Sequence, residues 1–328
     1  MKLILFWINN ARNTALPQSL LAAILAFCMA SQSPNFSWIL GLIAVLGVIC
    51  AHLGINLLDD YFDYQYKETS YRERMTHQGF RARIAKCDYL TSGQATLHQL
   101  RIACLVFCLL ALICGVVIFL HCGKIILWFM LATLLLGFFY SGPPLRISYR
   151  GLGELQVGFM FGPMLMNGVY YAACGTFSLS VLLLSIPVGL LVANILFTHS
   201  IMDYEPDKQV GKMTFAILLG KKKYMLITLF ILLLVSFGMV VGGIFWGNLS
   251  PWFCLIFILL PMAIGLFYLM VEFVKNPNRT FQPQFWMGPM GRWEEIKTVG
   301  IDWFMIRWYL ARNLLTFFCL ISVVVTFI

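Results

Sequence analysis

Two short stretches of the chain concentrate carboxylates. The first is "NLLDDYFDY", Asn56 to Tyr64, which closes the apolar run "SWILGLIAVLGVICAHLGI". On a helix, Asn56 and Asp60 are four residues apart, Asp59 and Asp63 are four apart, and Asp60 and Asp63 are three apart, so all four share one broad face. Two carboxylates about 4 Å apart repel by ~1 kcal/mol in water and ~4 kcal/mol at an effective dielectric of about 20. A hard divalent cation is the natural counter-charge, because Mg²⁺ takes oxygens from one or two carboxylates and completes its shell with water and phosphate. The second stretch is "HSIMDYEPDKQVGKMT". There His199, Asp203 and Asp207 recur at intervals of four, Glu205 lies between the aspartates, and Pro206 stands where it can interrupt a regular helix. Cations follow each cluster: Lys67, Arg72, Arg74, Arg81, Arg83 and Lys86 after the first, and Lys208, Lys212 and Lys221 to Lys223 after the second. Carboxylates that hold Mg²⁺, beside Lys and Arg that hold phosphate oxygens, describe a diphosphate site.

The elements that must position these residues are membrane spans. The 328 residues are 60% hydrophobic and only 11% charged, against about 25% charged in a soluble domain. The expected fold is therefore all-α: a polytopic membrane protein of one domain over residues 1–328, with about nine helices in one bundle. A span needs about 20 apolar residues, and that criterion gives 15–33, 37–58, 102–121, 124–141, 153–175, 178–201, 223–246, 250–273 and 307–328. The opening "MKLILFWINNARNTALP" reads as an interfacial helix leading into the first span, not as a cleavable signal. Loops after the odd spans are short, and loops after the even spans carry the polar residues. Of the 23 Lys and Arg, only Lys124 falls on the short-loop side, leaving 22 on the other. By the positive-inside rule that second side is cytoplasmic, with the N-terminus inside and the C-terminus outside. Both acidic clusters then lie at cytoplasmic ends of even-numbered spans. The excess of basic residues is a topology signal, and nucleic-acid binding is excluded by its placement in loops between spans. A pump or proton-coupled transporter puts ionisable groups near the bilayer centre, and these spans carry almost none. The ten cysteines are scattered, with no CxxC pair; Cys104 and Cys108 read as small apolar residues of a packed helix. The long stretch 275–306, with Trp286, Trp293 and Trp303 and with Trp308 just beyond, reads as an interfacial segment on the cytoplasmic surface.

At these residues the sequence resembles the UbiA superfamily of intramembrane aromatic prenyltransferases. "NLLDDYFDY" fits that family's Asn followed by spaced Asp, and Asp203 and Asp207 fit its DxxxD. Within it, "ALPQSLLA", "DDYFDY", "YSGPPLRISYRGLGELQVGFMFGPM" and "DYEPDKQVGKMTFAILLG" are most similar to the menaquinone-pathway branch, which prenylates 1,4-dihydroxy-2-naphthoate. The chain departs from that branch at Thr14 and Ala15, which follow Arg12, at His199, Ser200 and Met202 before the second acidic motif, and at Lys67 and Glu68 beyond the first.

The residues and the resemblance together imply Mg²⁺-dependent transfer of a polyprenyl group from an allylic diphosphate to an aromatic acceptor at a bacterial inner membrane. Asp60, Asp63, Asp203 and Asp207, with Asp59 beside them, are the expected metal ligands. Asn56 is a further ligand or orienter. Lys67, Arg72, Lys208 and Lys212 are candidates for the phosphates, and Tyr140 either faces the cation or acceptor or anchors the membrane interface. Arg150, Gly151 and Gly153 read as a tight turn more than as an anion site. The donor tail lies along the spans, in contact with the bilayer. Other UbiA acceptors (4-hydroxybenzoate, homogentisate, haem, a glycerol-phosphate lipid) and a transporter are the alternatives. An alcohol phosphotransferase is disfavoured, because its glycine-punctuated acidic motif is absent from the sequence.

Overall fold

In lipid a backbone can satisfy its polar groups only within a helix or a closed barrel, and the long apolar runs of this chain form helices. The structure, a computed structural model, describes residues 2–65, 87–209, 211–277 and 279–328, and every regular element among them is helical. In chain order they are α1 (Lys2–Asn10), α2 (Leu16–Ala30), α3 (Trp38–Gln65), α4 (Asp88–Thr91), α5 (Leu97–Cys122), α6 (Lys124–Ser141), α7 (Gly153–Phe159) and α8 (Leu165–Cys174). They continue with α9 (Leu179–Met202), α10 (Tyr204–Gln209), α11 (Phe215–Leu219), α12 (Lys222–Phe245), α13 (Leu260–Lys275), α14 (Trp293–Val299) and α15 (Asp302–Thr326).

Among the described residues, 8 helices are long and apolar enough to cross a membrane. They match eight of the nine expected spans. The remaining one, expected at 153–175, is a rod in three pieces: α7, a π turn at Met160–Met164, and α8. Pro163 lies in the wide turn. Proline has no N–H to give the helix ladder, and the wider turn absorbs that loss. Span ends differ from expectation chiefly where polar residues continue a helix. No breaker follows Asn56, so α3 runs on to Gln65 and carries the whole first acidic cluster on helix. The eighth span begins as a 3₁₀ segment, Pro251–Leu259, and continues as α13.

Burial separates the centre of the bundle from its rim. In α9, 61% of the apolar stretch is buried, against 17% in α6. Between the polar ends of α5 and α6 the exposed side chains are apolar, including Leu105, Leu120, Trp128 and Leu134, as befits helices facing lipid. The α7 rod packs on α9 through glycines: a Cβ on Gly162 would collide with the Ser185 carbonyl and the Gly189 backbone. Small residues of this kind let membrane helices approach closely. A second core joins α1, α3, α4 and α5 through Trp7, Leu53, Leu57, Tyr89 and Leu100. The Trp7 and Tyr89 rings meet edge to face at 5.8 Å. That core seats the turn before α2 against the acidic face of α3. In the long stretch after α13, Trp286, Trp293, Trp303 and Trp308 are each partly buried against the main core, and Trp303 stacks on Phe273 with ring centroids 5.8 Å apart.

Candidate active site

On α3 the helical spacing does what it predicts: Asp59, Asp60 and Asp63 all turn inward, with 6%, 2% and 4% of their surface exposed. Burying a carboxylate is costly without a partner, and partners arrive from four other parts of the chain. From the turn between α1 and α2, Arg12 places Nη2 2.7 Å from Asp59 Oδ2 and also contacts Asp60 Oδ1. Tyr89 of α4 donates to Asp60 Oδ2 at 3.2 Å. Ser141, the last residue of α6, donates to Asp59 Oδ1, and Tyr149 donates to Asp63 Oδ1. Asn56 does not face these oxygens with its amide nitrogen; Nδ2 donates to the Ala11 carbonyl at 3.0 Å. Burial opposes the charge of Arg12, but Asp60 and Asp59 outweigh it and raise its pKa above the ordinary value. Burial, and then Asp60, raise the pKa of the Tyr89 hydroxyl, which stays protonated.

The second cluster sits where α9 ends. Asp203 caps it outside helical geometry and accepts the Asp207 backbone N–H at 2.8 Å, which starts α10. Pro206 lies in the first turn of α10, where a missing N–H costs nothing because that group has no helical partner anyway. Asp203 is 3% exposed and Asp207 1%. His199 Nε2 lies 2.9 Å from Asp203 Oδ2, and Lys212 Nζ lies 3.2 Å from Asp207 Oδ2. Glu205 points outward. Lys208 is exposed and lies over the Tyr204 ring at 5.9 Å. Lys67 and Arg72 fall outside the described residues.

The segment between α6 and α7 ties the clusters together. Ser148 Oγ lies 3.2 Å from Ser141 Oγ and donates to the Tyr140 carbonyl at 2.7 Å. The next residue is Tyr149, on Asp63. Gly151 then turns at φ +77 so close to the Thr214 carbonyl that a Cβ would lie 3.1 Å from it. Two residues into α7, buried Glu154 accepts the Ser200 hydroxyl at 2.5 Å and the Phe215 backbone N–H at 3.2 Å. One chain of contacts therefore runs from Asp59 and Asp63 to the end of α9. Arg150 is exposed and donates to the Pro144 carbonyl at 3.3 Å, in keeping with the turn reading of 150–153. Tyr140 is partly buried at the end of α6, its ring against Gly153.

The donor set fits a hard divalent cation: apart from Asn56, whose amide nitrogen is taken by the Ala11 carbonyl, every candidate ligand is a carboxylate. Among the described residues no three acidic, His or Cys side chains form a ready-made metal cage. Mg²⁺ needs none, since it takes one or two carboxylates and fills its shell with phosphate and water. Sequence reasoning left five contributors unplaced: Arg12, Tyr89, Ser141, Tyr149 and Glu154. Three of them, Ser141, Tyr149 and Glu154, lie in "YSGPPLRISYRGLGELQVGFMFGPM", whose distinctiveness was the available signal.

A helical membrane bundle with two buried carboxylate groups linked at one end is the class that fold and site define. The chain belongs to the UbiA prenyltransferase family, whose sequence profile matches residues 19–288. The 1,4-dihydroxy-2-naphthoate octaprenyltransferase of Bacillus subtilis (strain 168) is 32% identical over 162 residues, 47% of this chain and 50% of that relative. The chain thus spans about half the length of that curated relative. Among solved structures, that of digeranylgeranylglyceryl phosphate synthase matches with a TM-score of 0.63 at 15% identity, covering 99% of both chains. A UbiA homolog from Archaeoglobus fulgidus bound to DMAPP and Mg²⁺ matches with a TM-score of 0.56 at 16% identity, covering 94% of this chain and 99% of that one. At such identities the likeness is one of fold.

Proposed function

We propose that this integral membrane protein transfers a polyprenyl group from an allylic diphosphate to 1,4-dihydroxy-2-naphthoate. The observation that carries the reading is the pair of buried carboxylate clusters joined by the segment from Ser141 to Glu154. Asp60 and Asp63 of the first cluster and Asp203 and Asp207 of the second are the residues that would hold a divalent metal and, through it, the diphosphate. Lys212 reaches Asp207, and Lys67, Arg72 and Lys208 follow the clusters in sequence; these four are the candidates for phosphate oxygens. Mg²⁺, when bound, neutralises charge developing on the diphosphate as it leaves. The C1–O bond of the donor breaks, and the allylic cation is captured by the electron-rich ring carbon that bears the carboxyl group. That carbon loses CO₂, giving a demethylmenaquinone in its reduced, quinol form with released diphosphate. Tyr140, at the end of α6 beside the joining segment, is the candidate to face the cation or the acceptor.

The acceptor assignment draws support from the relative named for 1,4-dihydroxy-2-naphthoate and from "YSGPPLRISYRGLGEL" and "DKQVGKMTFAILLG". The 22-to-1 distribution of Lys and Arg supports a cytoplasmic N-terminus and a site at the cytoplasmic face of a bacterial inner membrane. The test is product analysis by mass with purified protein, labelled polyprenyl diphosphate and a panel of acceptors. Dihydroxynaphthoate is expected to yield a prenylated product that has lost CO₂. Turnover of 4-hydroxybenzoate or another acceptor, with none of dihydroxynaphthoate, removes the acceptor assignment and leaves prenyl transfer standing.

A further inference from the structure

We propose that Arg12 is a resident cation of the first acidic cluster, that it competes with the divalent metal for Asp60, and that Asn56 holds it in that seat. The inference rests on the metal-assisted reading above. A single nitrogen, Arg12 Nη2, contacts both Asp59 Oδ2 and Asp60 Oδ1, which is how a bridging cation sits between neighbouring carboxylates. The two acids are not equivalent. Asp59 is anchored through both oxygens, Oδ1 by Ser141 and Oδ2 by Arg12. Asp60 takes Arg12 on Oδ1 and the neutral Tyr89 hydroxyl on Oδ2. A metal that reaches Asp60 approaches oxygens that already accept these two donors and meets the guanidinium charge on Oδ1, so it competes with Arg12 there, and Arg12, once displaced, stays on Asp59. Asp59 is then the mooring of Arg12, and Asp60 is the ligand that Arg12 and the metal share.

The backbone shows that the seat is built. Arg12 has φ +58 and ψ +51, left-handed geometry just after α1 that glycine or asparagine usually takes. A non-glycine residue stays there only when its surroundings over-determine it. The Ala11 N–H bonds the Trp7 carbonyl at 2.8 Å, and the Asn56 amide bonds the Ala11 carbonyl at 3.0 Å. Asn56 stands one helical turn before Asp60, so one face of α3 holds both the turn and the side chain that leaves it. The arrangement keeps buried carboxylates compensated while no metal is bound, and it lowers affinity for a metal that arrives alone.

The test uses the purified full-length protein without prenyl donor and titrates Mn²⁺, read by the paramagnetic signal of free Mn²⁺ and by thermal unfolding. Arg12→Gln is expected to bind Mn²⁺ about tenfold more tightly than wild type and to gain more unfolding temperature from it, although its metal-free form unfolds earlier. Arg12→Lys keeps the charge but not the guanidinium fork and is expected to fall between the two. Asn56→Ala leaves Arg12 intact and is expected to tighten Mn²⁺ binding about threefold; it carries the test if the Arg12 variants fail to fold. Equal or weaker binding by Arg12→Gln overturns the competition. Arg12→Lys equal to wild type overturns it as well, since charge alone then accounts for the effect. Weaker binding by Asn56→Ala makes Asn56 a ligand and overturns its holding role. No Mn²⁺ binding by wild type or any variant overturns the metal reading itself, and this inference with it.

Discussion

Glu154→Gln probes the joint between the second cluster and the segment that spans the site. Glu154 is 7% exposed, and its Oε1 accepts both the Ser200 hydroxyl at 2.5 Å and the Phe215 N–H at 3.2 Å. A hydrogen bond to a charged group contributes about 1.5–3 kcal/mol and a neutral one about 1 kcal/mol. Glutamine keeps an acceptor oxygen and loses the charge, so the two contacts together weaken by about 1–4 kcal/mol on that principle. Relief of the desolvation cost of a buried carboxylate offsets part of this. A net loss of about 1–2 kcal/mol corresponds to a factor of about 5–30. Thermal unfolding of the metal-free protein and steady-state prenyl transfer are the assays. The variant is expected to unfold earlier and to lose about 5–30-fold in kcat/KM as Asp203 and Asp207 lose their register. Ser200→Ala removes one of the two donors and should show about half the effect. Because the two side chains share one contact, the double variant should lose less than the sum of the singles. Unchanged stability together with unchanged kcat/KM in Glu154→Gln refutes the joint. So does strict additivity with Ser200→Ala.

Asp60→Asn, Asp63→Asn, Asp203→Asn and Asp207→Asn are each expected to lower prenyl transfer by at least about a hundredfold, ~2.7 kcal/mol of transition-state stabilisation, while circular dichroism stays native. Full activity after chelator treatment, or near-normal turnover in all four variants, speaks against the two-cluster metal model. A single cysteine at Gln209, which is exposed just after the second cluster, is expected to react with a membrane-impermeant maleimide only in inverted vesicles; labelling of intact cells reverses the topology. Tyr89 has a raised pKa in the folded state, so its contribution is complete below the unfolded pKa of about 10 and declines as pH rises past it. Tyr89→Phe is therefore expected to narrow its stability difference from wild type above about pH 10. A gap that widens there contradicts the shift.

The identity of the chemistry and the elements that carry it were legible in the amino-acid sequence, because both depend on local spacing. Long apolar runs must become helices in lipid. Three- and four-residue spacing puts Asn56, Asp59, Asp60 and Asp63 on one face whatever surrounds them. Pro206 falls where the regular helix breaks, as its lack of an N–H for the Met202 carbonyl requires: α9 ends at Met202 and a new helix starts at Tyr204 with Pro206 in its first turn. The fifth span was recognisable by its length, but its wide turn around Pro163 and the close approach of Gly158 and Gly162 to α9 were not. Tertiary structure alone decided the partners. Arg12 reaches Asp59 across 47 residues, and Tyr149 reaches Asp63 across 86. Spacing along one helix says which carboxylates stand together. It carries no information about which turn of another helix comes to rest against them, because that is settled by the packing of Trp7, Leu57 and Tyr89 in one core and of α7 against α9 in the other.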